Sequence, residues 1–112
     1  MLVTPLKGKS QFDKIFKEPD LIVNQGYLKI ILKKNNLKEI KLGLIVSKKN
    51  LSLAARRNYI KRSARELARN DIFFGYDLIF LLIDKIKDYS KQEIRNDIFK
   101  LKRKIEFKLK DI

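Results

Sequence analysis

Apolar residues recur along this chain in two rhythms, and the switches between them mark out its elements. Phe12, Ile15 and Phe16 share one side of a helical period over about Gln11–Lys17, with Ser10 suited as N-cap, Asp13 three residues on and Pro19 as the stop. The period then falls to two. Leu21–Val23 and Tyr27–Lys33 read as strands, Leu28, Ile30 and Leu32 alternating with Tyr27, Lys29 and Ile31. Asn35-Asn36 marks a turn, and Glu39–Ser47 forms the next strand, with Leu42, Leu44 and Val46 on one face and Gly43, Ile45 and Ser47 on the other. The economical reading joins these last two strands as an antiparallel pair. Residues 1–9, with Pro5 and Gly8, read as an irregular start.

Helical spacing returns after a loop at Lys48–Ser52. Ser52 is placed to cap a helix running to about Arg69, which Asn70-Asp71 ends. Asp77–Ile83 is apolar almost throughout, as a central strand covered on both faces should be. Ser90 and Glu93 make a capping box for a last helix over about Lys91–Lys110, striped by Ile94, Ile98, Leu101, Ile105 and Leu109. Phe99 and Phe107 fall off that stripe. The elements run α-β-β-β-α-β-α, and residues 1–112 read as a single domain. The expected fold is an α/β (α+β) two-layer sandwich, with a mixed four-stranded sheet and helices mainly on one face. The strands flanking the middle helix should lie parallel in it.

That middle helix has two unlike sides. At 100° per residue from Arg57, Leu53, Ile60, Ala64 and Leu67 collect at about 300°, while Asn58, Lys61, Arg62, Arg65 and Arg69 centre at about 80°. Arg56 projects toward the apolar side and must flank the packing edge. A solvated helix face usually mixes acids with bases at i,i+4, but this one offers only Glu66. Like charges so placed repel, and a phosphate-bearing partner is the simplest reason to tolerate them.

Charge extends the picture. The chain has 27 basic and 13 acidic side chains, a formal net charge of +14 over 112 residues. Residues 1–70 hold 17 basic and 5 acidic groups, against 10 and 8 in residues 71–112, so the electrostatic footprint lies in the first part. Hydrophobic content of 45% belongs to a globular chain rather than a disordered tail. No run approaches the roughly 20 apolar residues that span a bilayer, and Met1-Leu2-Val3-Thr4-Pro5 lacks a signal-peptide pattern. There is no cysteine and no histidine. The first excludes disulfides and thiolate metal sites and suits a cytoplasmic protein; the second removes the commonest general base and metal ligand. The acids form no metal-like cluster. An autonomous active site is therefore not expected.

Ser47-Lys48-Lys49, followed by Arg57-Asn58-Tyr59-Ile60-Lys61-Arg62 and Arg65-Glu66, closely resembles the protein subunit of bacterial ribonuclease P. Gly43-Leu44-Ile45-Val46-Ser47-Lys48-Lys49 matches that family's strand end in full, and Phe12-x-x-x-Phe16 and Tyr27 fit its spacing. The resemblance covers about residues 6–105. Two positions depart from it. Tyr59 stands where the family's Arg-Asn-Arg motif has its second arginine, and Asp84-Lys85 replaces a basic residue after the apolar strand. A tyrosine can stack or donate one hydrogen bond but cannot fork onto phosphate.

The resemblance implies a subunit that holds a catalytic RNA while that RNA cleaves the 5′ leader from precursor tRNA. Hydrolysis and its Mg2+ would belong to the RNA, with no cofactor bound by protein residues alone. Arg57, Asn58, Lys61, Arg62, Arg65 and Arg69 would contact the RNA subunit. A cleft between the first helix and the exposed sheet face would take the single-stranded leader, using Phe12, Phe16 and Tyr27 for stacking and Lys29, Lys48 and Lys49 for the backbone. The family also implies a left-handed crossover through the basic helix. No membrane or small-molecule partner is implied. Two alternatives fit the charge alone: a ribosomal or RNA-chaperone protein that binds structured RNA, and a protein of anionic membrane surfaces.

Overall fold

Leu28, Ile30 and Leu32 point to one side of their strand, and all three lose their whole surface to the largest core among the described residues. The computed structural model describes residues 2–110. In chain order it contains β1 (Val3–Pro5), α1 (Gly8–Lys17), β2 (Leu21–Gln25), β3 (Leu28–Lys34), β4 (Ile40–Ile45), α2 (Ala54–Ala68), β5 (Tyr76–Leu82) and α3 (Lys91–Leu109), with a 3-10 turn at Asp71–Phe73 before β5. One mixed sheet takes all five strands in the order β1-β4-β5-β3-β2.

This order corrects two expectations. The sheet has five strands rather than four, because the supposedly irregular start pairs Val3–Pro5 parallel to β4. Such a strand is too short to show a period, and Pro5 is tolerable there because β1 lies at the sheet's edge. Nor do β3 and β4 form a hairpin. β5 lies between them, antiparallel to β3 and parallel to β4. The most apolar strand gains most from neighbours on both edges and cover on both faces, and Leu78, Ile79, Phe80 and Leu82 are all buried there. The parallel pairing of the strands flanking α2 is as expected. The loop that would have been the β3–β4 hairpin is instead pinned to β5, through Asn35 Nδ2 donating to Asp77 Oδ1 at 2.9 Å.

The true hairpin joins β2 to β3. Gln25 faces Leu28 across a two-residue turn of Gly26 and Tyr27. Gly26 has φ 57° while Tyr27 has no positive φ, the II′ pattern that follows the twist of the paired strands. Glycine suits that left-handed position, and an added Cβ would also oblige the Asp97 carboxylate to turn aside.

Helix starts also differ in detail. α1 begins at Gly8 rather than near Gln11; Ser10 lies inside it, and the Lys7 backbone N–H donates to Gln11 Oε1 at 2.8 Å. The N-cap of α2 is Leu53, without a side-chain cap, rather than Ser52. Ser90 caps α3 as expected, its Oγ accepting from the Glu93 N–H at 3.3 Å.

Both sheet faces carry helix, unequally. Ile60, Ala64 and Leu67 of α2 and Ile94, Leu101 and Ile105 of α3 seal one face against Val23, Leu42, Leu78 and Phe80. On the other, α1 closes a small core of Leu6, Ile15, Ile31 and Ile79. The expectation of helices mainly on one face therefore holds, and the thinly covered face is where a cleft can exist.

Candidate nucleic-acid interface

The basic window of α2 divides by task. Arg56 and Arg57, at its start, are engaged within the fold. The Arg56 guanidinium lies 4.8 Å from the Tyr89 ring centroid, bracing α2 against the segment that leads into α3. Arg57 turns back on the preceding loop, its Nη1 donating to the carbonyls of Leu51 at 2.8 Å and Ser52 at 2.6 Å. That loop is further held by Asn50, whose Nδ2 donates to the Leu82 carbonyl and whose own carbonyl accepts from the Ile86 N–H. Lys48 and Lys49 are exposed on this braced turn.

The other cations of the window face solvent or its edge. Asn58, Arg62, Arg65 and Arg69 are exposed and Lys61 is half-buried. Among the described residues, none of these four cations has a carboxylate within 4.0 Å. The opposite side of the same helix is in the core, so the cationic side is fixed in place rather than floating on a mobile surface. Arg65 and Arg69 also overhang a depression around the open edge of β1, floored by Leu42 and Leu44 and reaching Phe12. Nothing in the local sequence pattern announced this depression, because it depends on β1.

On the α1 side, strand register sets out a second surface. Ile45, Leu81, Lys29 and Asn24 form one row across β4, β5, β3 and β2, and Gly43, Ile79, Ile31 and Ile22 form the next. α1 lies on the second row. Phe12 is pressed onto Gly43, where an added Cβ would come 2.5 Å from its Cζ. Phe16, four residues on, keeps 44% of its surface exposed, close to the 43% of Ile22. Phe16, Ile22, Leu81 and Lys29 thus give this face an apolar floor with a cation in it. Ile22, Ile45 and Leu81 were missed from sequence. Their signal was the alternation they share with Lys29, which needs the register to be read.

Tyr27 is not part of this face. The structure places it in the hairpin turn, half-buried against the large core, with its carbonyl accepting from the Ile83 N–H at 2.9 Å. The expectation that it occupies β3 opposite the Leu28 face is corrected: the turn takes two residues, and Tyr27 is one of them.

The model of the family described as Ribonuclease P matches residues 3–106. The chain belongs to this family. Relatives named as ribonuclease P protein component include one from Histophilus somni, 35% identical over 102 residues, covering 89% of this chain and 82% of the relative. Another, from Pseudoalteromonas translucida, is 33% identical over 106 residues, covering 93% and 72%. Among solved structures, the RNase P protein of Staphylococcus aureus superposes with a TM-score of 0.73 at 25% identity, covering 88% of this chain and 92% of that one. The protein from Thermotoga maritima gives 0.59 at 28% identity, covering 90% of each. The ribosomal or RNA-chaperone alternative is not favoured.

Within the ribonuclease P family, Tyr59 gains a structural account. Its ring packs on the large core, its carbonyl accepts from Ser63 Oγ at 2.9 Å, and Lys91 Nζ sits 5.2 Å from its centroid. With Arg56 over Tyr89, this gives two cation–π contacts between α2 and the start of α3. Tyr59 therefore serves the α2–α3 junction and lies outside the cationic face.

Proposed function

We propose that this ribonuclease P subunit holds the catalytic RNA on the outward face of α2 and takes the 5′ leader of precursor tRNA on the α1 side of the sheet. The observation that carries the reading is the set Lys61, Arg62, Arg65 and Arg69, displayed on a helix whose other side is buried, with no carboxylate of the described residues within 4.0 Å of them. Asn58 adds a neutral donor on the same side. Arginine guanidinium forks onto phosphate and stacks on exposed bases, so such a face suits folded RNA better than a lipid surface. Arg57 contributes first by shaping the loop beneath this face, and in this reading its donors not used on the loop add to the RNA contact.

Leader binding rests on different chemistry. A site that accepts many leader sequences needs surfaces that stack without reading base edges, and cations for the backbone. Phe16 and Lys29 supply these on the open sheet face, Phe12 supports α1 from beneath, and Lys48 and Lys49 stand at the end of β4. Tyr27 holds the β2–β3 hairpin from the large-core side and lies outside this face.

The phosphodiester chemistry is assigned to the RNA partner. In this reading the magnesium that the reaction uses is held with the RNA subunit. Among the described residues, no helix is long and apolar enough to cross a membrane. The work proposed here is cytoplasmic, with precursor tRNA and the RNA subunit as partners. Adding the purified chain to a ribonuclease P RNA at low magnesium should accelerate removal of the leader at stoichiometric protein. An RNA chaperone would leave that rate unchanged, and such a result would refute the reading.

A further inference from the structure

Phe99 and Phe107 are 60% and 71% exposed, on the side of α3 directed away from the sheet. They lie eight residues apart, about 12 Å along the axis, with Arg103 midway on the same line. The Arg103 guanidinium is 5.9 Å from the Phe99 ring centroid. Arg95 and Lys100 are exposed beside this line, and no ion pair holds them among the described residues. Among the described residues, Glu106 is the acid nearest the line in helical angle, and it pairs with Lys102 at 3.9 Å. None of this is needed to hold α3 in place, since Ile94, Leu101 and Ile105 do that from the opposite side.

We propose that the outer side of α3 is a second RNA-binding surface, on which unpaired bases stack against Phe99 and Phe107 while Arg95, Lys100 and Arg103 meet the backbone. Rings interleaved with cations are the minimal apparatus for sequence-tolerant binding of single strands. With their backbone positions about 12 Å apart along the axis and Arg103 between them, the two rings offer one platform on either side of a cation. Charge complementarity selects the occupant. A second copy of this chain, docked across a two-fold axis, would set Arg103 and its neighbours against the same cations. A polyanion removes that repulsion. The surface is separate from the α1 side of the sheet, because α3 packs on the other face. The proposal rests on the reading of the chain as an RNA-binding subunit, but not on the α2 contacts.

The test is a titration of the intact, isotope-labelled chain with a short oligouridylate at low salt, followed by NMR at backbone amides and phenylalanine rings. Saturable shifts are expected at Phe99, Arg103 and Phe107. Replacing both rings by leucine keeps their apolar bulk but removes the stacking surface. The affinity read at α3 should then fall by about fivefold or more per ring, with the α2 response retained. Unchanged affinity in that variant would overturn the stacking claim. Shifts at α2 with none at α3 would remove the second surface and leave the proposed function standing; silence at both would count against both. Concentration-dependent shifts at α3 without RNA would reassign the surface to contact between copies. Binding to anionic vesicles but not to oligouridylate would reassign it to lipid.

Discussion

Gly43→Ala tests whether the position of α1 depends on one missing side chain. A Cβ at residue 43 would lie 2.5 Å from Phe12 Cζ, 2.6 Å from Phe12 Cε2 and 2.9 Å from Leu6 Cδ1. Ordinary contact begins at 3.4 Å, so the Phe12 ring must retreat by about 0.9 Å. Two effects oppose each other. Alanine in a strand restricts the unfolded chain more than glycine does, a gain of about 0.4–1 kcal/mol. Overpacking costs about 1–3 kcal/mol. The second should win, because Phe12 is flanked by Leu6 and rides on a helix already fixed by the fully buried Ile15. The expected net loss is about 1–2 kcal/mol, read as a lower urea midpoint at unchanged slope. A double-mutant cycle isolates the cause: with Phe12→Ala in place, the penalty of Gly43→Ala should largely vanish. Equal penalties in both backgrounds, or a more stable Gly43→Ala chain, would refute the reasoning.

Four further outcomes follow from the same geometry. Replacing Arg62 and Arg65 together by alanine should weaken binding to the RNA subunit and lower the salt slope by about 0.7–0.9 for each phosphate no longer neutralised; an unchanged slope removes them from the interface. Tyr27→Ala should lower stability, by roughly the few kcal/mol of a part-buried aromatic, while shifting precursor and mature tRNA binding alike; a loss confined to precursor tRNA would return Tyr27 to the leader site. The Tyr89 hydroxyl is sealed and has no hydrogen-bond partner among the described residues, and its pKa is raised by burial first and Tyr59 second, with Arg56 pulling it down. The unfolded phenol therefore ionises first as pH climbs past about 10, stability drains away from there up to the raised folded value, and Tyr89→Phe should flatten that alkaline loss at a neutral-pH change within about 1 kcal/mol. Native-state hydrogen exchange should release α1 amides ahead of those in α3, because α1 rests on much the smaller core; the reverse order would contradict the division of the two cores.

The parts that were legible in the sequence are those written in local spacing. The faces of α2 follow from a 3.6-residue period and the sign of its charges, and the structure buries Ile60, Ala64 and Leu67 while exposing Arg62 and Arg65. α3 and its Ser90 cap are local in the same sense. Sheet order was not legible, because β5 enters between β3 and β4 from about 40 residues downstream, and no periodicity encodes a neighbour so distant. Everything read through that order was displaced with it. The Phe12 and Phe16 pair looked equivalent at i,i+4, yet one ring meets Gly43 and the other meets solvent, a difference set by β4. Arg56 was seen to flank the packing edge, but its partner Tyr89 lies 33 residues on. Tyr27 kept the alternation of a strand residue while serving in a turn, because Gly26 at φ 57° let the hairpin close one residue later.

The unequal covering of the sheet links stability to the proposed activity. A protein of this size has one substantial core to build, and here the α2 and α3 side takes nearly all of it. That lets α2 be rigid where rigidity is useful: its backbone is already ordered when folded RNA arrives, and only the cationic side chains remain to be ordered. Among the described residues, the opposite face fully buries Leu6, Ile15, Ile31 and Ile79 and partly covers Phe12, Ile45 and Leu81, which leaves Ile22 and Phe16 within reach of a passing strand. Full burial of that face would add stability but close the groove. Gly43 marks the balance between the two, since it lets Phe12 bring α1 close enough to hold while the helix stays short enough to leave Lys29 and its row uncovered.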